Sequence, residues 1–346
     1  MSDALANDVE SCRVQEKSFR FLGYAACALA GCLWGTGFYF GRLALNEMSV
    51  EHMVLYRFLF ASLGMLPILL WNRRGRPSGQ DRSMSRGDAG LLLLTAFLGI
   101  PVQFLVQFHG LALTTVSHAS LMVGGMPVLL AAAVAIFGHE RLDAFGWVAM
   151  IASTGGAALV ALGGDSQAPQ GRAPLTGDLM VLFSLFIALF WILWSKKLME
   201  NHRPMVISAG TIFSGTAMLA VVVFFEQIRA HLLGLPFEAF PFAHVSLRAW
   251  IALAISGLLC TSTTTSLWNW GIHHVPASRA GVFLNLEPVV GSILGVSLLG
   301  ERLGPFGLLG GGMILASALA ISLRGHDPEP GRRTADGREQ RTEDRD

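Results

Sequence analysis

The stretch His139-Glu140-Arg141-Leu142-Asp143-Ala144-Phe145-Gly146 is answered 161 residues later by Gly300-Glu301-Arg302-Leu303-Gly304-Pro305-Phe306-Gly307. At the same offset Pro127 falls on Pro288, Gly110 on Gly271, Ser117 on Ser278 and Ala119 on Ala280. Both copies lie within long apolar runs. A hydrophobic unit written twice implies a membrane protein built from two homologous halves. Secondary transporters use that arrangement to place a substrate site between the repeats.

Composition points the same way. Hydrophobic residues make up 52% of the chain and charged residues 14%, where a soluble domain carries about 25% charge. The net charge of +1 gives no electrostatic case for nucleic acid. Cys12, Cys27, Cys32 and Cys260 show no CxxC spacing. Three of them lie in apolar segments, where a free thiol behaves as a small hydrophobe. No disulfide and no metal site is expected, and no secretory signal peptide, since the first twenty residues are polar and mixed in charge.

A hydrocarbon core about 30 Å thick takes about 20 apolar residues as a helix. Ten segments reach or approach that length: Phe21–Phe40, Met53–Trp71, Gly90–Phe108, Ser117–Phe137, Ala144–Leu162, Asp178–Trp194, Met205–Phe225, Ala249–Gly271, Arg279–Leu299 and Pro305–Leu323. The alternation of a membrane barrel is absent, so the expected fold is an all-α membrane protein of ten transmembrane helices. Residues 1–20 form an N-terminal segment, 21–162 the first five-helix repeat, 163–177 a Gly/Pro/Ala-rich linker and 178–323 the second repeat. Residues 324–346 alternate acid and base without apolar period and are expected to be a disordered tail.

Positive charge sets the orientation. With the N-terminus in the cytoplasm, the inner pieces hold Arg13, Lys17 and Arg20, then Arg73, Arg74, Arg76, Arg82 and Arg86. Arg141, Lys196, Lys197, Arg203, Arg279 and the six arginines of the tail join them. The outside holds Arg42, Arg172, Arg229, Arg248 and Arg302. The bias makes both termini cytoplasmic. Five spans per half is an odd number, so the second half enters the membrane with the opposite sense, as an inverted-topology repeat.

Ten spans in a 5+5 inverted repeat resemble the EamA-type members of the drug/metabolite transporter superfamily. The resemblance rests on Trp34-Gly35 in span one, Arg57 in Tyr56-Arg57-Phe58, and Pro127 with Glu140-Arg141-Leu142 in the first half. In the second half it rests on Trp268-Asn269 with Gly271, on Leu284-Asn285-Leu286-Glu287-Pro288-Val289-Val290, and on Gly300-Glu301-Arg302-Leu303. It covers about residues 21–323. His139 departs from its partner Gly300. The resemblance implies transport of a small metabolite, such as an amino acid, across a bacterial inner membrane, with the bilayer and that solute as partners.

The polar residues inside the spans are the candidate site. A mid-span arginine costs about 2.5–3.5 kcal/mol on insertion scales. Arg57 therefore reads either as a cavity charge facing a substrate carboxylate or as a snorkelling residue near an interface. Glu287 precedes Pro288, which together with Pro127 is expected to kink its helix. A buried carboxylate beside a kink suits proton coupling, with a structural partner such as Arg279 as the competing reading. The first half has Met126 at the equivalent position. In span eight Ser262, Ser266, Asn269 and His273 share one helical face, with Thr261, Thr265 and Trp268 beside it. The stripe suits a cavity wall, or helix–helix hydrogen bonds worth about 0.6 kcal/mol each. Gln103 and Gln107 of span three, and Trp34, Thr36 and Tyr39 of span one, extend the cavity set. Trp191 and Trp194 wall it or anchor at an interface.

Gly31/Gly35, Gly37/Gly41, Gly291/Gly295 and Gly307/Gly311 are small-xxx-small pairs that let helices approach closely. Spans five and ten carry little polarity and are expected to be buttresses or an oligomer contact. No GxSxG, Walker A or HExxH sequence occurs, so no enzyme and no cofactor is expected. The reading is a secondary transporter working by alternating access, with export the favoured direction. Its competitors are an intramembrane enzyme, a lipid-flippase subunit and a non-transporting scaffold.

Overall fold

The computed structural model describes residues 2–74, 84–126, 128–129, 132–133, 144–162, 174–234, 244–274 and 281–324. Pro127, Glu140, Arg141, Gln170 and Arg279 lie outside the described residues. Among those described there is no strand. The helices are α1 (Ser2–Leu45), α2 (Val50–Arg74), α3 (Arg86–Phe97), α4 (Gln103–Leu113), α5 (Val116–Val123) and α6 (Ala144–Leu162). They continue as α7 (Pro174–Asn201), α8 (Pro204–Leu232), α9 (Leu247–Gly257), α10 (Thr264–His274), α11 (Leu286–Leu299) and α12 (Pro305–Arg324).

Among the described residues six stretches are long and apolar enough to cross a membrane: Phe21–Leu45, Val50–Leu70, Arg86–Leu113, Leu175–Asn201, Pro204–Leu232 and Leu247–Ile272. Ala144–Val160, Phe283–Leu299 and Pro305–Ser317 are apolar but shorter. The expected fourth span is described only in part, with α5 turning at Gly124-Gly125. Leu63, Phe183, Phe186, Phe224 and Phe225 are exposed. Large apolar side chains facing outward in such numbers suit a lipid environment.

Local chemistry sets the helix ends. Ser85 and Ser246, 161 residues apart, cap α3 and α9, their hydroxyls accepting from Asp88 N at 3.0 Å and Ala249 N at 3.3 Å. Pro204 opens α8 where its missing N–H costs nothing. Gly300, at φ 68°, ends α11 in the left-handed conformation that L side chains resist.

Two of the described spans contain a π turn. A wide π turn, Leu98–Val102, joins α3 to α4, and another, Leu258–Thr263, joins α9 to α10. In the first, Pro101 cannot donate a backbone hydrogen bond. In the second, hydroxyls reach back five residues: Thr261 to Ser256 O at 3.1 Å and Thr264 to Leu259 O at 2.6 Å. Each hydroxyl satisfies a carbonyl in the widened turn.

The halves pack by a matched set of contacts. α1 lies against α9, α10 and α11, while α7 lies against α3, α4 and α5. α2 meets α9 as α8 meets α3. The pairs α2–α8, α5–α11 and α6–α12 join the halves. α3, α4 and α6 begin 161 residues before α9, α10 and α12, but α2 begins 154 before α8. Glycines mark the contacts. A Cβ on Gly110 would lie 2.8 Å from Gly177 O, and one on Gly271 would lie 3.0 Å from Gly23 O. Gly177 is 154 residues after Gly23, so these two contacts correspond. The core runs through Phe58, Phe108, Met53, Met65, Leu111 and Met122, all fully buried.

Candidate functional site

Arg57 is the most enclosed charge among the candidate residues. It is 6% exposed, on α2. Its Nε donates to Thr261 Oγ1 at 3.3 Å, across the second π turn. The guanidinium carbon stands 5.3 Å from the Phe104 ring centroid and 5.2 Å from that of Phe108. Stacking over two aromatic faces offsets about 0.5–2 kcal/mol of desolvation each. Gly37 of α1 leaves room for the group, since a Cβ there would lie 3.4 Å from Nη2. No carboxylate pairs with Arg57 directly among the described residues, but Glu287 is within electrostatic range. The snorkelling reading does not fit a side chain enclosed by α1, α4 and the π turn.

Glu287 is half-buried on α11. Its helix is not kinked in mid-span. Gly281–Asn285 is a 3₁₀ turn and α11 starts at Leu286, so Pro288 stands in the first turn, where a proline is tolerated. The irregularity in this segment is the change of helix type just before it. Gly35 of α1 lets this segment approach: a Cβ there would sit 2.5 Å from Glu287 O and 3.1 Å from Gly291 N.

The span-eight stripe divides among several neighbours. Ser262 is fully buried at Gly64 of α2 and bonds Leu258 O at 2.8 Å. Thr265 and Ser266 bond the carbonyls of Thr261 and Ser262. Trp268 meets Trp34 of α1, ring centroids 5.5 Å apart. Asn269, 7% exposed, donates to Ser208 Oγ of α8 at 3.1 Å. The π turn is the reason, because one extra residue in a turn rotates everything after it out of the regular 3.6 register. Gln103 and Gln107 are both buried and bond each other at 3.1 Å, and Gln103 Oε1 has no partner among the described residues. Tyr39 packs edge-on to its neighbour Phe40, centroids 5.3 Å apart. Arg57, Thr261, Phe104 and Phe108 are thus brought together, and Trp34 with Trp268 and Asn269 with Ser208 form separate contacts.

A second polar group was missed from sequence. The turn between α4 and α5 is gripped on several sides. Arg42 of α1 donates to Leu111 O at 2.6 Å. Thr114 Oγ1 donates to Asp178 Oδ1 of α7 at 2.5 Å, and His118 Nδ1 lies 3.2 Å from Asp178 Oδ2. Glu301 accepts from Val116 N and Ser117 N, both at 2.8 Å, and from Ser117 Oγ at 2.7 Å. His109 Nε2 pairs with Glu51 Oε1 at 3.1 Å. The signal available in sequence was the Gly-Glu-Arg motif itself, whose glutamate caps a helix of the other half. Among the described residues no three His, Cys, Asp or Glu side chains group to hold a metal ion.

Residues 21–162 and 175–323 each match the EamA-like transporter family. The chain belongs to the EamA-like transporter family. It is 21% identical over 278 residues to the uncharacterized transporter YetK of Bacillus subtilis, covering 80% of each chain. An uncharacterized transporter of Archaeoglobus fulgidus is 26% identical over 303 residues, covering 86% of this chain and 84% of that one. A solved crystal structure shares the fold at a TM-score of 0.56 and 17% identity, over 88% of this chain and 96% of the other. As an EamA-like protein the chain is an integral membrane transporter.

Proposed function

We propose that this EamA-like protein is a secondary transporter that exports a small carboxylate-bearing solute, such as an amino acid, from a bacterial cytoplasm by alternating access. Ten spans form two inverted five-helix repeats with both termini cytoplasmic. The matched contacts of the halves and the arginine bias support that architecture. The observation that carries the substrate class is Arg57: a buried guanidinium, held over two aromatic rings, with one protein acceptor and no direct carboxylate among the described residues. Its free N–H groups form the fork that binds a carboxylate in two-point fashion. Asn269, Gln107, Trp34 and Trp268 shape the remainder, and Glu287, facing the same charge, is the proton carrier.

Proteoliposomes loaded with an amino-acid mixture test this. Wild-type protein should release solutes that carry a carboxylate faster than their decarboxylated amines. Arg57→Gln should abolish that preference at unchanged folding. Glu287→Gln should retain exchange but lose its response to an imposed pH gradient. Equal release of acids and amines, unchanged in Arg57→Gln, would sink the substrate assignment. Orientation is tested separately by cysteines at Arg76 and Gln170, of which an impermeant reagent should label Gln170 in intact cells.

A further inference from the structure

The surroundings of Arg57 have a counterpart in the other half. α2 begins 154 residues before α8, Gly23 stands 154 before Gly177, and α3 and α4 begin 161 before α9 and α10. At those offsets Gly37 falls on Trp191, Arg57 on Thr211, Gly99 on Cys260 and Ile100 on Thr261. The packing keeps the correspondence. A Cβ on Gly37 would lie 3.6 Å from Cys260 Cβ, and one on Gly99 would lie 3.0 Å from Trp191 Cγ. Gly215, one turn after Thr211, lets α8 close on Ile100, where a Cβ would lie 2.6 Å from Cδ1. The first π turn, Leu98–Val102, is walled by α7 and α8 as the second is walled by α1 and α2.

The two turns differ in chemistry. Around the second, Arg57 donates to Thr261, and Thr36 Oγ1 stands 3.0 Å from Cys260 Sγ. Around the first, three polar atoms are enclosed and unpaired among the described residues: Gln103 Oε1, Trp191 Nε1 and Thr211 Oγ1. Gln103 is 5% exposed and Thr211 8%. A buried polar atom left without a partner has lost its water and gained nothing in return. The stretches that bring these atoms together, 89–108, 179–195 and 205–225, hold no acidic, basic or histidine side chain. Gln103 is also tied to the Arg57 site through the next residue, Phe104, whose ring lies against the guanidinium.

We infer that the first π turn is the second half of the solute site, where Gln103, Trp191 and Thr211 take an uncharged group that both donates and accepts hydrogen bonds, a hydroxyl or a carboxamide. This rests on the reading of Arg57 as the carboxylate site. Half-sites related by an inverted repeat meet at the repeat interface, and here their unlike chemistry suits the unlike ends of one molecule. Gln103 Oε1 accepts, the Trp191 indole N–H only donates, and the Thr211 hydroxyl does both. A hydroxyl or carboxamide answers all three. An ammonium offers Trp191 no acceptor, a carboxylate offers Gln103 no donor, and a methyl group leaves all three unpaired. A site built this way rejects the wrong solute through the groups it would leave unpaired.

Calorimetric binding to the protein in lipid nanodiscs tests this with two length-matched pairs, L-glutamine against L-norleucine and L-homoserine against L-norvaline. In at least one pair the polar member should bind wild type about tenfold more tightly, and L-glutamate should bind no better than L-norleucine. Thr211→Val and Trp191→Phe, which remove only an unpaired polar atom, should narrow the gap by weakening the polar member alone. Without solute Thr211→Val should melt no lower than wild type, because no bond within the protein is lost. Arg57→Gln should weaken both members of a pair alike. Equal affinity within both pairs, no measurable binding of any probe, or L-glutamate binding as tightly as L-glutamine would overturn the inference. So would variants that keep the wild-type preference or weaken both members alike, and so would a lower melting temperature of Thr211→Val, which would show its hydroxyl to be bonded within the fold. A polar preference lost in Thr211→Val, with every affinity unchanged in Arg57→Gln, would leave this half-site standing and remove the carboxylate reading.

Discussion

Glu301→Ala should strongly destabilise this protein while leaving Arg57 and its surroundings untouched. The carboxylate accepts three hydrogen bonds at the N-terminus of α5, from Val116 N, Ser117 N and Ser117 Oγ at 2.7–2.8 Å. Val116 and Ser117 are both fully buried. Truncation leaves two enclosed N–H groups unpaired, at about 1–3 kcal/mol each. It also removes a negative charge from a helix N-terminus, worth about 0.3–1 kcal/mol. The terms overlap, so a loss of about 3–5 kcal/mol is expected. Glu301→Gln keeps one acceptor oxygen and the side-chain volume, and should lose about half as much. At about 2–4 °C per kcal/mol, Glu301→Ala should melt roughly 6 °C or more below wild type. Fluorescence-monitored thermal unfolding in detergent reads this, with Ser117→Ala as a milder companion. The reasoning is refuted if Glu301→Ala melts with the wild type, or if Gln costs as much as Ala.

Two further perturbations test separate contacts. Glu47 lies outside the membrane spans and accepts from Ser246 N at 2.6 Å and Ser246 Oγ at 2.7 Å, which hold its carboxyl below the usual carboxylate range. Its contribution to stability is present above the unfolded pKa and is lost as pH falls through the lower folded one. Glu47→Gln should therefore melt below wild type at neutral pH, and the gap should close in acid; a gap independent of pH would dismiss the charge. Gly35→Val should disrupt the α1–α11 approach, because its Cβ would meet Glu287 O at 2.5 Å. Lower yield and earlier aggregation on size exclusion are expected, whereas Gly312→Val, where a Cβ meets nothing, should behave as wild type.

The apolar runs were legible in the sequence because lipid demands them residue by residue. The small-xxx-small pairs were legible for the same reason: Gly31, Gly35, Gly291 and Gly295 all stand at close contacts. The long-range partners were not. Nothing local to Asp178 announces His118, sixty positions earlier, and Glu301 looks like a surface turn residue until the other half is folded against it. The break of span nine was placed at Pro288 because proline is the conspicuous residue, whereas the helix type changes just before it, at Asn285–Leu286. The offset of 161 was true of the later spans and not of the second. The stretch from the start of α8 to the start of α9 is seven residues longer than that from α2 to α3, and loops absorb insertions at little cost.

The wide turn at Leu258–Thr263 makes chain length, rather than residue identity, the setting for what α10 presents. Deleting one residue there would let the turn close into a regular α-helix and swing Trp268 and Asn269 through roughly 100°. Trp34 and Ser208 would then face new neighbours without any of the four side chains having changed. Point substitutions change this helix face one side chain at a time, while a single-codon deletion re-aims all of α10 together. Family members that differ by one residue in this turn would thus carry the same motif facing different neighbours.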